Sequence, residues 1–163
     1  MASMTTADLE LVEHMRFAAH TGSGHAFEID TQAESGGDDA AARPVEHVLA
    51  AAGACMAMDA VSILRKMRQD IAGYSVHLEA PRAEQHPRVF TSITMTHRVR
   101  GRGLLAANVA RALQLSMSRY CPVHAMLHGS VPFTVRYEVT DEADGARTTG
   151  EVWVEGEEPA GVP

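Results

Sequence analysis

Apolar positions along the chain follow two periods, and the switch between them predicts the elements. Residues 9–20 (LELVEHMRFAAH) alternate weakly and predict a strand. TGSGH at 21–25 predicts a turn and AFEID at 26–30 a second strand, giving a hairpin. Residues 31–43 are polar and glycine-rich, a loop. Pro44 then opens a helix that runs to about Gln69, with Val48, Ala52, Cys55 and Asp59 on one stripe and Leu49, Met56, Ala60 and Ile63 beside it. Proline suits the first helical position. Glu46 complements the positive end of the dipole, and Arg65, Lys66 and Arg68 complement the negative end. Strands are predicted at 74–80 and 89–100, followed by a break at Gly101-Arg102-Gly103. A second helix covers 104–119, with Leu105, Val109, Ala112 and Leu113 on one face. One or two more helical turns fit 123–128, and a last strand fits 131–139. Residues 1–8 read as a flexible leader and 141–163 as a loosely ordered tail, in which Val152-Trp153-Val154 could dock as a further strand.

The order strand-strand, long helix, strand-strand, helix, strand predicts an α+β fold with mostly antiparallel sheets, in a single domain spanning 1–163. The long helix is apolar most of the way round until Arg65, more than one small sheet covers. Such a face needs burial, and a homodimer supplies it by symmetry.

Composition narrows the partners. A formal net charge of −7 argues against nucleic acid, which needs a basic surface. No run approaches the roughly 20 consecutive apolar residues of a membrane helix. The opening MASMTTADLE has neither the basic nor the apolar region of a secretory signal, so no membrane association is expected and the cytoplasm is the default location.

Two cysteines in a reducing compartment do not make a structural staple. Their spacing is far from a CxxC zinc signature, and the nine histidines are scattered without an HExxH pattern, so no metal or other cofactor is expected. A triad of Cys121, His124 and His128 is conceivable, but satisfied or exposed histidines are the ordinary reading. Cys55 lies mid-helix in apolar sequence with Asp59 one turn on, and both raise a thiol's pKa. A reactive thiolate there needs a cation or donor from elsewhere, with Arg16, Arg43, Arg88 and His25 the candidates. Cys121 follows Tyr120 at the end of the second helix, the negative pole, which makes it a poor attacker and a plausible resolving partner.

The block PVEHVLAAAGACMAMDAVSILRK (44–66), followed by LSMSRYCPVHAML (115–127), resembles the OsmC/Ohr family of thiol-dependent hydroperoxide reductases. SGHAFEID (23–30), PRVFTSITMTHRV (87–99) and ARALQLSMSRYC (110–121) are similar to a subgroup of it. The resemblance implies an intertwined homodimer with active sites at the interface. It implies that Cys55 attacks an organic hydroperoxide and becomes a sulfenic acid, that Cys121 closes a disulfide with it, and that a dithiol reduces the pair. Glu46 matches a family site glutamate. Nine residues separate it from Cys55, about half a rotation on an unbroken helix, so a shared site needs a break near Gly53 or a second chain. The family's hairpin-loop arginine has no match in TGSGH, where His25 is the possible substitute. That departure motivates the alternative of an OsmC-fold ligand-binding or redox-sensing protein with weak or no peroxidase activity. A purely structural dimer module is a third reading, in which both thiols are inert.

Overall fold

The computed structural model describes residues 4–153. The chain divides into two compact units, residues 1–49 and 50–163.

The first unit is an antiparallel three-stranded sheet of β1 (Ala7–Glu13), β2 (Arg16–Thr21) and β3 (Ala26–Ile29), in that order. The weakly alternating run at 9–20 is therefore two strands. They reverse at His14-Met15, where His14 takes a positive φ of 47°. Its ring sits 2.9 Å from Asp38, which fixes a conformation that few side chains adopt. β1 begins at Ala7, inside the segment expected to be a leader; residues 1–3 of that segment lie outside the described ones.

After β3 the buried Asp30 organises the loop that follows. Its carboxylate accepts the backbone N–H groups of Thr31 (2.8 Å), Asp38 (3.1 Å) and Ala40 (3.0 Å). The Ala40 N–H is the largest influence on Asp30, and together these bonds and the charge of Arg16 hold its pKa below the usual 3.8 despite burial. The unit ends with the first turns of α1 (Pro44–Lys66). Glu46 caps that helix: its Oε2 accepts the backbone N–H of Arg43 at 2.8 Å, one half of a capping box. One turn on, the His47 ring packs against Phe27 of β3, centroids 5.0 Å apart.

The second unit carries the rest of α1, β4 (Asp70–Glu79), β5 (Ile93–Arg102), α2 (Ala106–Leu115), a π-helical turn (Ser116–Tyr120), α3 (Pro122–Leu127), β6 (Phe133–Asp141) and β7 (Arg147–Val152). Its sheet runs β4-β5-β6-β7. The pairing is antiparallel except between β5 and β6, which are parallel. One parallel pair among the ladders fits the expectation of mostly antiparallel sheets. The chain between β5 and β6 contains α2 and α3, and such a helical crossover returns the strand in the same direction. β5 also runs through the expected break at Gly101, where a side chain would overlap the carbonyl of Asp70 on β4.

β5 alternates as its sequence predicts: Ile93, Met95, His97 and Val99 are buried and Arg98 and Arg100 exposed. With Val135, Val139 and Val152 they form the inner face, on which Val109, Ala112 and Leu113 of α2 are buried. Arg98–Glu138, Arg100–Glu142 and Arg136–Glu151 ion pairs mark the outer face. Of the helix face expected for α2, Leu105 is the exception: it precedes the helix and is exposed, with its N–H donated to Gln69. Within the core, Tyr74 and His97 pair at 2.8 Å, and burial pulls His97 down to about 4, so the imidazole is neutral.

α1 is long and apolar enough to cross a membrane by length and composition alone. Along it, however, Ala52, Gly53, Met56, Ala60 and Leu64 are buried within the second unit. Gly53 permits a close approach: a Cβ there would meet Leu78 of β4 at 2.7 Å. The helix continues unbroken through it.

The acidic tail holds β7, paired antiparallel with β6 from Val135↔Val152 to Thr140↔Arg147. Alternation is weak there, which hides the strand from a hydrophobic reading. β7 ends at Val152, and Trp153 lines a cavity of about 290 Å³ with Met117, His124, His128, Pro132 and Phe133. Val154 and the remaining residues to 163 lie outside the described ones.

Candidate functional site

Cys55 and Cys121 come from sequence blocks far apart, and the second unit brings them together. Cys55 projects from the middle of α1 and is half-buried; Cys121 is 2 % exposed. With Asp59 they form a cluster whose Sγ and carboxylate oxygen atoms all lie within 4.8 Å of one another. Cys55 and Asp59 share a helix face because four residues span about one turn. Both cysteines are free thiols.

The setting of Cys121 differs from the sequence reading. The preceding helix loosens into the π turn, and Pro122 begins a new helix with Cys121 as its N-cap. Proline has no N–H to lose at that position. The sulfur accepts the backbone N–H of His124 at 3.3 Å, a contact that by itself favours a thiolate. Burial outweighs it. Desolvation, then hydrogen bonding and proximity to Cys55, push the Cys121 thiol up to about 11. Cys121 therefore keeps its proton at neutral pH. The poor attacker expected from a helix C-terminus is a poor attacker for another reason.

Asp59 is held from the other side. The Ser116 hydroxyl, fully buried at the start of the π turn, donates to its Oδ2 at 2.8 Å. The sequence reading assigned Asp59 no role beyond raising a pKa and missed Ser116. A signal was present: Val109, Ala112, Leu113 and Ser116 continue one buried helical stripe, and a serine on such a stripe needs a partner.

His124 and His128 do not converge on Cys121 as a donor set. Their rings stack on each other at 5.1 Å, and His124 meets the edge of Phe133 at 4.8 Å. Among the methionines near the cysteines in sequence, Met56 and Met117 are buried, whereas Met58 and Met126 are each 72 % exposed. A cavity of about 260 Å³, lined by Asp59, Ser62, Ile63, Lys66, Leu115 and Tyr120, reaches the carboxylate.

Three of the four candidate cations have other partners. Arg16, immediately after the β1–β2 turn, lies 3.6 Å from both Glu13 and Glu28. Arg43 pairs with Asp39 at 3.2 Å and Glu46 at 3.6 Å. His25 bonds to Ser23 at 3.2 Å across the β2–β3 turn, in which there is no arginine. Arg88 is exposed, and its carbonyl accepts from Arg82. Glu46 has the capping role already described.

Comparison with known proteins places the fold in a family. The model of the family described as OsmC-like protein matches residues 36–136. Protein YhfA of Escherichia coli strain K12 is 45% identical over 133 residues, covering 82% of this chain and 96% of YhfA. The crystal structure of a hypothetical protein from Aquifex aeolicus superposes with a TM-score of 0.77 at 26% identity, covering 86% of this chain and 99% of that one. An organic hydroperoxide resistance protein OsmC from Legionella pneumophila shares the fold, with a TM-score of 0.61 at 16% identity over 85% of this chain and 98% of its own. With two thiols gathered in one unit and this breadth of similarity, the chain belongs to the OsmC-like protein family.

Proposed function

We propose that the protein reduces organic hydroperoxides with Cys55 as nucleophile and Cys121 as resolving thiol, in oxidative-stress defence. The observation that carries this reading is the asymmetry of the thiol pair: sulfurs within 4.8 Å, Cys55 only half-buried and Cys121 buried with its proton retained. The Cys55 thiolate attacks the O–O bond of ROOH, and with one proton gives Cys55–SOH and ROH. The Cys121 thiol then displaces hydroxide, which leaves as water, and a disulfide forms. A disulfide is about 2.05 Å long, so closure moves the sulfurs together by under about 3 Å. A dithiol restores both thiols by exchange. The chemistry uses no metal or flavin.

The reading includes a single OsmC-like domain assembled as a cytoplasmic homodimer. Apolar side chains on and near the helices favour a second chain: Val48, Met58, Tyr120 and Met126 are all exposed in the protomer. α1 has no break at Gly53, so Glu46 is proposed to serve the sulfur site across the dimer as well as capping its own helix.

The test is consumption of cumene or tert-butyl hydroperoxide with a dithiol reductant, read alongside mass spectrometry for a Cys55–Cys121 disulfide. Turnover equal in wild type and Cys55→Ser overturns the proposal. The missing arginine of the β2–β3 turn favours a second reading, a ligand-binding or redox-sensing OsmC protein. A ligand that co-purifies with a Cys55→Ser/Cys121→Ser variant, without peroxide turnover by the wild type, selects it.

A further inference from the structure

The cluster at the sulfurs contains a third donor that peroxide chemistry does not call for. Asp59 is half-buried, and its carboxylate lies within 4.8 Å of both Sγ atoms. Its recorded hydrogen bond comes from the buried Ser116 hydroxyl, and among the described residues no ion pair neutralises it. Neither peroxide attack by Cys55 nor disulfide closure with Cys121 gives this carboxylate a task.

The same three groups are well placed for a different purpose. Two thiolates and a carboxylate are a donor set for a borderline-soft divalent cation, which binds sulfur at about 2.3 Å and carboxylate oxygen at about 2.0–2.2 Å. Donor atoms around one such ion lie roughly 3–4 Å apart, so atoms already within 4.8 Å need only small rotamer changes. Ser116 does what an outer partner of a metal-binding carboxylate does, fixing one oxygen and leaving the other to turn inward. The cavity lined by Asp59, Ser62 and Lys66 gives an approach to the carboxylate. The scattered cysteines and histidines argued against a closed four-ligand site in the sequence. A three-ligand site with an open fourth position is outside that argument.

We infer that the reduced protein holds a thiophilic divalent cation of the Zn²⁺ class on Cys55, Asp59 and Cys121. Binding forms two metal–sulfur bonds and releases to solvent whatever protons the sulfurs carry, so no oxidant or reductant is involved. A Cys55–Cys121 disulfide removes two of the three donors. Metal occupancy and the oxidised state are therefore mutually exclusive, and loading with the ion shields the thiols from oxidation. The inference shares its sulfurs with the peroxidase reading but does not need peroxide turnover.

The experiment titrates the full-length, fully reduced, metal-free protein with Zn²⁺ by calorimetry and with Cd²⁺ by its ultraviolet thiolate charge-transfer absorption. About one ion per chain is expected. Asp59→Asn is expected to weaken binding at least tenfold and Ser116→Ala about tenfold, the scale of losses for ligand-orienting groups. Both variants are checked for a native melting transition; if Asp59→Asn unfolds, Ser116→Ala carries the comparison. The disulfide form is expected to bind no ion at this site. Equal affinity in wild type and the Cys55→Ser/Cys121→Ser double variant overturns the inference, because surface histidines would then hold the metal. Equal affinity in wild type, Asp59→Asn and Ser116→Ala overturns it too. A chain that binds Zn²⁺ in this pattern yet turns over no hydroperoxide upholds this inference while defeating the peroxidase proposal.

Discussion

Two carboxylates, one in each unit, show how the same side chain does different work. Asp30 ends β3 and is buried with three backbone N–H groups on its oxygens and a pKa held down by them. Its hydrogen-bonding capacity is spent on shaping residues 31–40. Asp59 sits on a helix with one recorded donor, Ser116, and two sulfurs as its other close neighbours. Burial alone would have ranked Asp30 as the more suspicious acid, since it is the more enclosed. What separates them is how they are satisfied: a carboxylate saturated by backbone is architecture, and one left facing thiols is available for chemistry.

The sharpest break of this comparison comes from the sulfur side. Cys55→Ser is expected to lower kcat/KM for organic hydroperoxides by at least about 1000-fold, the scale seen when a nucleophile is removed. The melting temperature should stay within a few degrees, because the side chain is half-buried and nearly isosteric. Residual turnover above one-tenth of wild type, in a steady-state assay with a dithiol, would move the chemistry away from the second unit's cluster.

Asp30→Asn tests the other side. Asparagine cannot accept on both oxygens, so charge-assisted bonds to Thr31, Asp38 or Ala40 are lost, and Tm should fall by roughly 5 °C near neutral pH. The sign of the pH effect follows from a folded pKa below 3.8. Stability from Asp30 is fully present above that value and disappears as pH falls through the lower folded value. The wild-type advantage over Asp30→Asn should thus shrink in acid below about 3.8. A constant gap across the acid range, read by thermal melts, would show that the carboxylate's charge is not what holds the loop.

A smaller effect marks the second unit at the alkaline end. The Cys121 thiol, ordinarily near 9, is pushed up to about 11 in the folded chain. The folded state therefore keeps a proton that the unfolded state loses. Its contribution is intact below about 9 and fades as pH rises toward about 11. Cys121→Ser should flatten that alkaline decline in denaturant titrations, and an unchanged slope would mean that the buried thiol is not protonated as its surroundings demand.

How much of this was legible in the sequence depends on whether local pattern or distant contact decided it. The alternation of β5 and the stripe of α1 are local and were readable, as was the pairing of the two cysteine blocks through family resemblance. The β1–β2 reversal was hidden because it rests on His14 at positive φ beside Asp38, a contact 24 residues away. A further strand in the tail was expected at Val152-Trp153-Val154, but its body at 147–151 was hidden because β6, not its own hydrophobicity, orders it. Cys121 was read correctly as the end of one helix, but its second role as the N-cap of the helix begun by Pro122 was not visible in the pattern. Ser116 and Asp59, 57 residues apart, could be paired only once the chain between them had folded.

Glu46 supplies a third carboxylate and the finest test of the distinction. Its Oε2 caps α1 through the Arg43 N–H, and its side chain is half exposed. Glu46→Ala removes that acceptor and should cost about 1 kcal/mol, a fall of roughly 2–4 °C in Tm. Glu46→Gln keeps a neutral oxygen able to cap, so Tm should change by less than about 2 °C. If Glu46 also serves the thiol site across the dimer, losing its charge should lower kcat/KM about tenfold in Glu46→Gln even though the helix start is preserved. The two readouts then separate the roles that a single alanine variant confounds. Full activity in Glu46→Gln, with the stability loss of Glu46→Ala intact, would place Glu46 with Asp30 among the carboxylates that build the fold and leave Asp59 as the acid that faces the sulfurs.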